Sequence, residues 1–195
     1  MPRFLLLPLI LLSLLLAGCG ESETTALAAA EPIESGDSCH VCGMLIDEHP
    51  GPKGQAFLDK STSALKFCST AELFAFLRQP ENETRLSHAY VHDVAVAPWA
   101  TPSDDAFVLA SEAWYVAGHD QRGSMGHTLA SFKQRHHAEV FAETHGGKLY
   151  AFDDIDLELL ARLSRGELGG GDTMASMTDH AASGHADMHD TSGAH

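Results

Sequence analysis

Hydrophobic and polar positions divide the 195-residue chain into three regimes. Phe4–Leu16 is an almost unbroken aliphatic run. Residues 37–168 alternate short apolar runs with polar stretches. From Gly169 onward there is no large aliphatic or aromatic side chain. In the middle regime, short apolar runs predict strands at Gln55–Leu58, Ala64–Phe67, Ala89–Val94, Phe107–Ala110, Ala113–Ala117 and Lys148–Phe152. Helical spacing in Thr70–Arg78 places Leu73, Phe74 and Leu77 on one face, and Ser69-Thr70-Ala71-Glu72 before it is a capping-box pattern. A second helix is expected at about His136–His145, stopping at Gly146-Gly147. A third should follow Asp153-Asp154, which can cap Ile155–Leu163.

The order of these elements suggests an internal duplication. Strand (Gln55), strand (Leu65), helix (Ala71), strand (Tyr90) is followed by strand (Trp114), short apolar piece (Leu129–Phe132), helix (Glu139), strand (Leu149). The segments FCSTAELFAFL and FKQRHHAEVFAE share phenylalanine spacing and helix placement. The expected fold is therefore α+β: two small ββαβ units packed side by side. Each alone would have little core, and together they can share one.

The flanking regimes say where the domain resides. Arg3 is the only charge in the first eighteen residues. The aliphatic run is too short for a comfortable membrane span and suits the h-region of a secretory signal over residues 1–18. It ends in Leu16-Ala17-Gly18-Cys19, which resembles a bacterial lipobox. Cys19 would then begin the mature chain, acylated on thiol and amine, and several acyl chains anchor firmly where one holds marginally. Residues 19–36 are small and polar and read as a tether from the lipid. The implied location is the periplasmic side of a membrane, the outer membrane being the expected one. The segment 169–195 cannot offset its ordering entropy and should be disordered. It nonetheless carries Met174, Met177, His180, His185, Met188, His189 and His195, residue types that bind copper, nickel or zinc, so weak secondary metal binding is expected there.

Formal net charge is −15, and loss of Arg3 with the leader makes the mature chain one unit more negative. That argues against nucleic acid or an anionic membrane surface as a partner. Lipidation removes Cys19 from the four cysteines, leaving Cys39, Cys42 and Cys68. An odd thiol count in an oxidising compartment requires an explanation. Cys68 follows an apolar run and directly precedes the capping box, so it is expected to be a small buried hydrophobe.

The stretch Asp37–Met44, DSCHVCGM, concentrates the candidate chemistry. A redox CxxC sits after a buried strand and opens a helix; here Glu34-Ser35-Gly36-Asp37-Ser38 precedes it and Gly43 follows. Structural zinc wants four closed ligands, and with a single CxxC, Cys68 and a histidine would have to complete the set. A CxxC disulfide closes too small a loop to be a useful staple. Soft-metal binding uses the methionine: Cu(I) prefers thiolate and thioether sulfur and accepts two or three ligands. In extended backbone Cys42 and Met44 point the same way. Met125, in Gly123-Ser124-Met125-Gly126-His127, is the other methionine of the folded part, and it too sits beside glycine. Cys42, Met44 and Met125 are thus the leading candidate ligands. Cys39 and His40 are weaker ones, and His127 is an adjacent alternative.

These motifs occur together in one known family. CHVCGM, His49-Pro50-Gly51-Pro52-Lys53-Gly54-Gln55, Lys66-Phe67-Cys68-Ser69-Thr70-Ala71-Glu72, Tyr90-Val91-His92-Asp93, Trp99, Ala113-Trp114-Tyr115-Val116-Ala117-Gly118, Ser124-Met125-Gly126, Leu129-Ala130-Ser131-Phe132 and His145-Gly146-Gly147 resemble the NosL family, in order, from about residue 37 to 163. The resemblance implies a monomeric, lipid-anchored periplasmic Cu(I) chaperone that is not an enzyme. It would supply apo nitrous oxide reductase with copper for its copper–sulfide centre, working with an ABC-transporter complex and its periplasmic component. The family's site carries over to Cys42 and Met44, and then to Met125. The histidine- and methionine-rich tail is not part of the resemblance.

Overall fold

The computed structural model describes residues 26–59 and 61–168. The signal segment, Cys19 and the 169–195 tail lie outside the described residues. Two antiparallel sheets organise the domain. The first has order β2-β1-β3-β4, from β1 (Gly54–Leu58), β2 (Leu65–Phe67), β3 (Leu86–His92) and β4 (Phe107–Leu109). The second has order β8-β5-β9, from β5 (Trp114–Ala117), β8 (Ala130–Phe132) and β9 (Lys148–Tyr150). Between β5 and β8 a small hairpin pairs β6 (Arg122–Gly123) with β7 (Gly126–His127). Helix α1 (Thr70–Leu77) precedes β3, as α3 (Arg135–His145) precedes β9. A short α2 (Pro80–Glu83) follows α1, and α4 (Leu157–Ser164) ends the described chain.

The duplication expected from the sequence is present in the topology. Each unit flanks its first strand with its second strand on one side and its post-helix strand on the other, and in the first sheet β4 adds beyond β3. Together they share one core. The ring of Phe74 meets that of Tyr115 edge-on at 5.0 Å, and Leu73, Leu77, Leu129, Ile155 and Leu163 are buried around them. Each such side chain contributes roughly 1.5–3 kcal/mol by leaving water. The units are also stitched by polar contacts. Val94 N–H donates to the Ser131 carbonyl at 3.0 Å, and Ser131 Oγ donates to the His92 carbonyl at 2.7 Å. The Arg78 Nε–H donates to the Ile155 carbonyl at 2.6 Å while its guanidinium lies over the Phe152 ring.

Some boundaries differ from the sequence expectations. Strand β3 starts at Leu86, because an irregularity after Phe57 lets Leu86 pair with Leu58. It ends at His92, since Asp93 N–H turns to the Ala106 carbonyl and Val94 to the other unit. Helix α4 is capped by Asp156, whose carboxylate accepts from Leu159 N–H at 2.7 Å. Asp153 and Asp154 instead lie in a 3-10 turn, where Asp154 caps Ala151 N–H at 2.9 Å. The described part of the 19–36 segment lies against the first sheet. Gln55 donates to the Glu31 carbonyl at 2.5 Å and accepts from Glu31 N–H at 2.8 Å, and the Tyr90 hydroxyl donates to the Ala28 carbonyl at 2.9 Å.

A candidate thiol metal centre

The Asp37–Ile46 segment folds back on itself as a tight loop. Cys39 N–H donates to the Met44 carbonyl at 2.8 Å, Ile46 N–H to Asp37 at 2.9 Å, and Ser38 bridges Leu45 in antiparallel fashion. The turn closes when Gly43 N–H donates to the Cys39 carbonyl at 2.9 Å, with Gly43 at φ +74°. An L residue there would carry left-handed strain, which glycine avoids. His40 N–H reaches the Lys66 carbonyl at 2.8 Å, which hangs the loop on the outer edge of β2. The Lys66 ammonium ties the same segment down, at 2.6 Å from the Asp37 carboxylate and 2.7 Å from the Pro32 carbonyl. That ion pair holds the Asp37 carboxyl below its ordinary range.

This anchoring brings the CxxC to the C-terminal end of β2, where Cys68 stands. The sulfurs of Cys39, Cys42 and Cys68 all lie within 4.8 Å of one another, with Cys42 Sγ and Cys68 Sγ 3.6 Å apart. All three are free thiols. Among the described residues no histidine or carboxylate ligand atom completes this group. Cys68 is fully buried, as expected from its place in the sequence, and Cys39 is 3% exposed. Cys42 is half-buried and gives the cluster its outlet. The thiols share protons unequally. Cys39 is driven well below the ordinary thiol range, first by the hydrogen bond from Cys68, then by the backbone N–H groups of Cys42, Cys68 and Val41. Cys68 is driven up, by that same hydrogen bond and by burial. Glu72, on the first turn of α1, is raised by burial and by the charge of Cys39.

Met44 lies on the same loop as Cys39 and Cys42, and Met125 on the neighbouring β6–β7 hairpin. Met44 is half-buried, and its carbonyl serves the loop. Met125 is 56% exposed at the tip of the β6–β7 hairpin. That hairpin is pinned to the cluster, because Ser124 Oγ donates to the Cys68 carbonyl at 2.7 Å. The His40 ring turns away and packs edge-on against Phe67 and Phe76, in a groove shared with Leu65 and Arg85. His127 sits beside Gly166. Met174, Met177, His180, His185, Met188, His189 and His195 lie outside the described residues. Cys68 is the member that local spacing misses, being 26 residues from Cys42. The available signal was the odd thiol count.

Chemically, three sulfurs with one edge open suit a soft ion of low coordination number. A closed structural zinc site would need a fourth ligand. The trio stands at the end of a strand, without the strand-to-helix placement of both CxxC thiols that redox catalysis uses.

Comparison with known proteins gives a consistent result. A family model described as NosL matches residues 30–160. The copper-binding lipoprotein NosL of Stutzerimonas stutzeri is 40% identical over 182 residues, 92% of this chain and 91% of that protein. The copper-binding lipoprotein NosL of Achromobacter cycloclastes is 39% identical over 119 residues, 60% of this chain and 62% of that protein. The crystal structure of the copper chaperone NosL from Shewanella denitrificans superposes with a TM-score of 0.67 at 46% identity, over 68% of this chain and 99% of that one.

Proposed function

The chain belongs to the NosL family, and from that premise we propose that it carries Cu(I) on Cys39, Cys42 and Cys68 and delivers it to apo nitrous oxide reductase. The observation that carries this reading is the convergence of three free sulfurs within 4.8 Å. Cu(I) is a filled-shell soft ion that prefers thiolates and is content with three of them. Binding expels the thiol protons to solvent, so the site is a carrier in exchange with its surroundings and performs no bond chemistry on a substrate.

Transfer follows from the exposure gradient. Cys39 and Cys68 are buried, while Cys42 reaches the surface. A partner's ligand enters at Cys42 and displaces the sulfurs in turn. Met44 and Met125 supply thioethers at this outlet, needing no deprotonation and forming no disulfides. In this reading they are exchange ligands for the departing ion, and His40 takes no part. The protein works as a monomer, anchored through acylated Cys19 on the periplasmic side of the outer membrane. It acts alongside an ABC-transporter maturation complex with its periplasmic component. The 169–195 tail buffers copper weakly.

The functional test is genetic and spectroscopic. A strain lacking this protein should make nitrous oxide reductase short of its catalytic copper, and wild-type protein should restore it where C42S does not. A fully copper-loaded reductase in the deletion strain would refute the delivery role.

A further inference from the structure

The loop His49-Pro50-Gly51-Pro52-Lys53 wraps around its own lysine. Lys53 is 3% exposed, and its ammonium donates to the His49 carbonyl at 2.6 Å and the Pro50 carbonyl at 3.2 Å. Among the described residues no carboxylate lies within ion-pair distance of it. A buried ammonium is expensive unless an anion faces it.

The register of the first sheet shows what faces it. Phe67, Gly54 and Val91 are aligned across β2, β1 and β3, and so are Lys66, Gln55 and Tyr90. One step further, the same register sets Cys68 opposite Lys53, and Lys53 opposite His92. Hydrogen bonds continue the register on the β3 side, and on the β2 side the chain slips by one residue just past Cys68. His92 N–H donates to the Lys53 carbonyl at 3.3 Å, Lys53 N–H donates to His92 Nδ1 at 3.2 Å, and Thr70 N–H donates to the Pro52 carbonyl at 3.2 Å. Side chains directly opposite one another on antiparallel strands are near neighbours. His92 is buried and held neutral, its ring lowered to about 3 by burial and by the Lys53 charge. Burial lowers Lys53 to about 8, and the Asp47 carboxylate works against that shift.

We propose that Lys53 is the built-in counter-cation of the thiolate site. The proposal rests on the reading above that the three cysteines hold the ion. Three thiolates with Cu(I) carry a net charge of −2, in a pocket whose walls are largely apolar. The lysine sits across from the deepest of the three sulfurs and offsets part of that charge without touching the metal. Its carbonyl cradle keeps the ammonium in place when the site is empty. It is thus a positioning and charge-balancing residue, and it also favours Cu(I) over ions that leave the cluster less negative.

The test compares two metals on the purified, reduced protein. Cu(I) and Cd(II) affinities are measured by competition with chelators for wild type, K53M, K53R and, as a second neutral variant, K53Q. With Cd(II) the three-thiolate complex carries −1, the charge the empty cluster already bears on Cys39, so a Coulombic role predicts a loss for Cu(I) and almost none for Cd(II). We expect about a tenfold loss for Cu(I) and less than about a twofold change for Cd(II) in the neutral variants. K53R should keep the wild-type ratio of the two affinities. Equal losses for both metals, or no loss for Cu(I), would overturn the proposal. C68S separates this from the underlying reading. Weakened Cu(I) binding in C68S beside unchanged binding in K53M and K53Q sinks the lysine role alone. Wild-type Cu(I) affinity in C68S sinks the three-thiol site and the lysine role with it.

Discussion

Cys68 is turned from a core residue into a candidate ligand by what lies under it. Helix α1 begins two residues later, with Ser69 as its cap, accepting from Glu72 N–H at 3.1 Å. The helix is seated on β1 at Gly54, where a Cβ would lie 2.7 Å from Leu73 Cδ2 and 2.8 Å from Leu73 Cβ. Non-bonded carbon atoms essentially never approach that closely, so G54A must push α1 away from the sheet. We expect G54A to cost about 1–3 kcal/mol in urea unfolding, the range for overpacked cores. It should also weaken Cu(I) binding, because the strand end that carries Cys68 shifts with α1. Unchanged stability would show that the helix is not seated there.

At the level of elements, local chemistry wrote most of the plan, and long-range pairing wrote the rest. Strands β1, β2 and β5 and helices α1 and α3 fall where apolar runs and caps put them, within a residue or two. The edges of β3 depend on partners distant in the chain, such as Leu58 and Ser131, so short-range pattern could not locate them. The same holds for the site. Cys42 and Met44 are conspicuous in DSCHVCGM because they are neighbours in sequence. The loop bonds, however, fold that stretch so that Cys42 meets Cys68 across β2. Cys68 looked like a buried hydrophobe and is buried; that its sulfur faces two others is a fact of strand placement. Lys53 was similarly hidden, since only the register reveals what it faces.

Among the described residues, His92 and His119 are deeply buried and held neutral. His92 is lowered to about 3, and His119, packed edge-on between Trp99 and Phe141, is lowered to about 4, in both cases chiefly by burial. In the unfolded chain both return to about 6.5. Between pH 6.5 and about 4 the unfolded state therefore binds more protons, so stability is full above pH 6.5 and falls as pH drops through that window. Urea midpoints measured from pH 7.5 to 4 should decline, with a loss of a few kcal/mol by pH 4. H119L should flatten the slope; a profile level from pH 7.5 to 4 would contradict the buried neutral state.

The central claim, that the resting ion sits on three cysteine sulfurs, is tested most directly by X-ray absorption at the copper edge of the Cu(I)-loaded protein. Wild type should show a shell of three sulfurs and no nitrogen, unchanged in the M44L/M125L double variant and altered in C68S. A nitrogen neighbour in wild type, or a shell that changes on loss of the methionines and not on loss of Cys68, would contradict it.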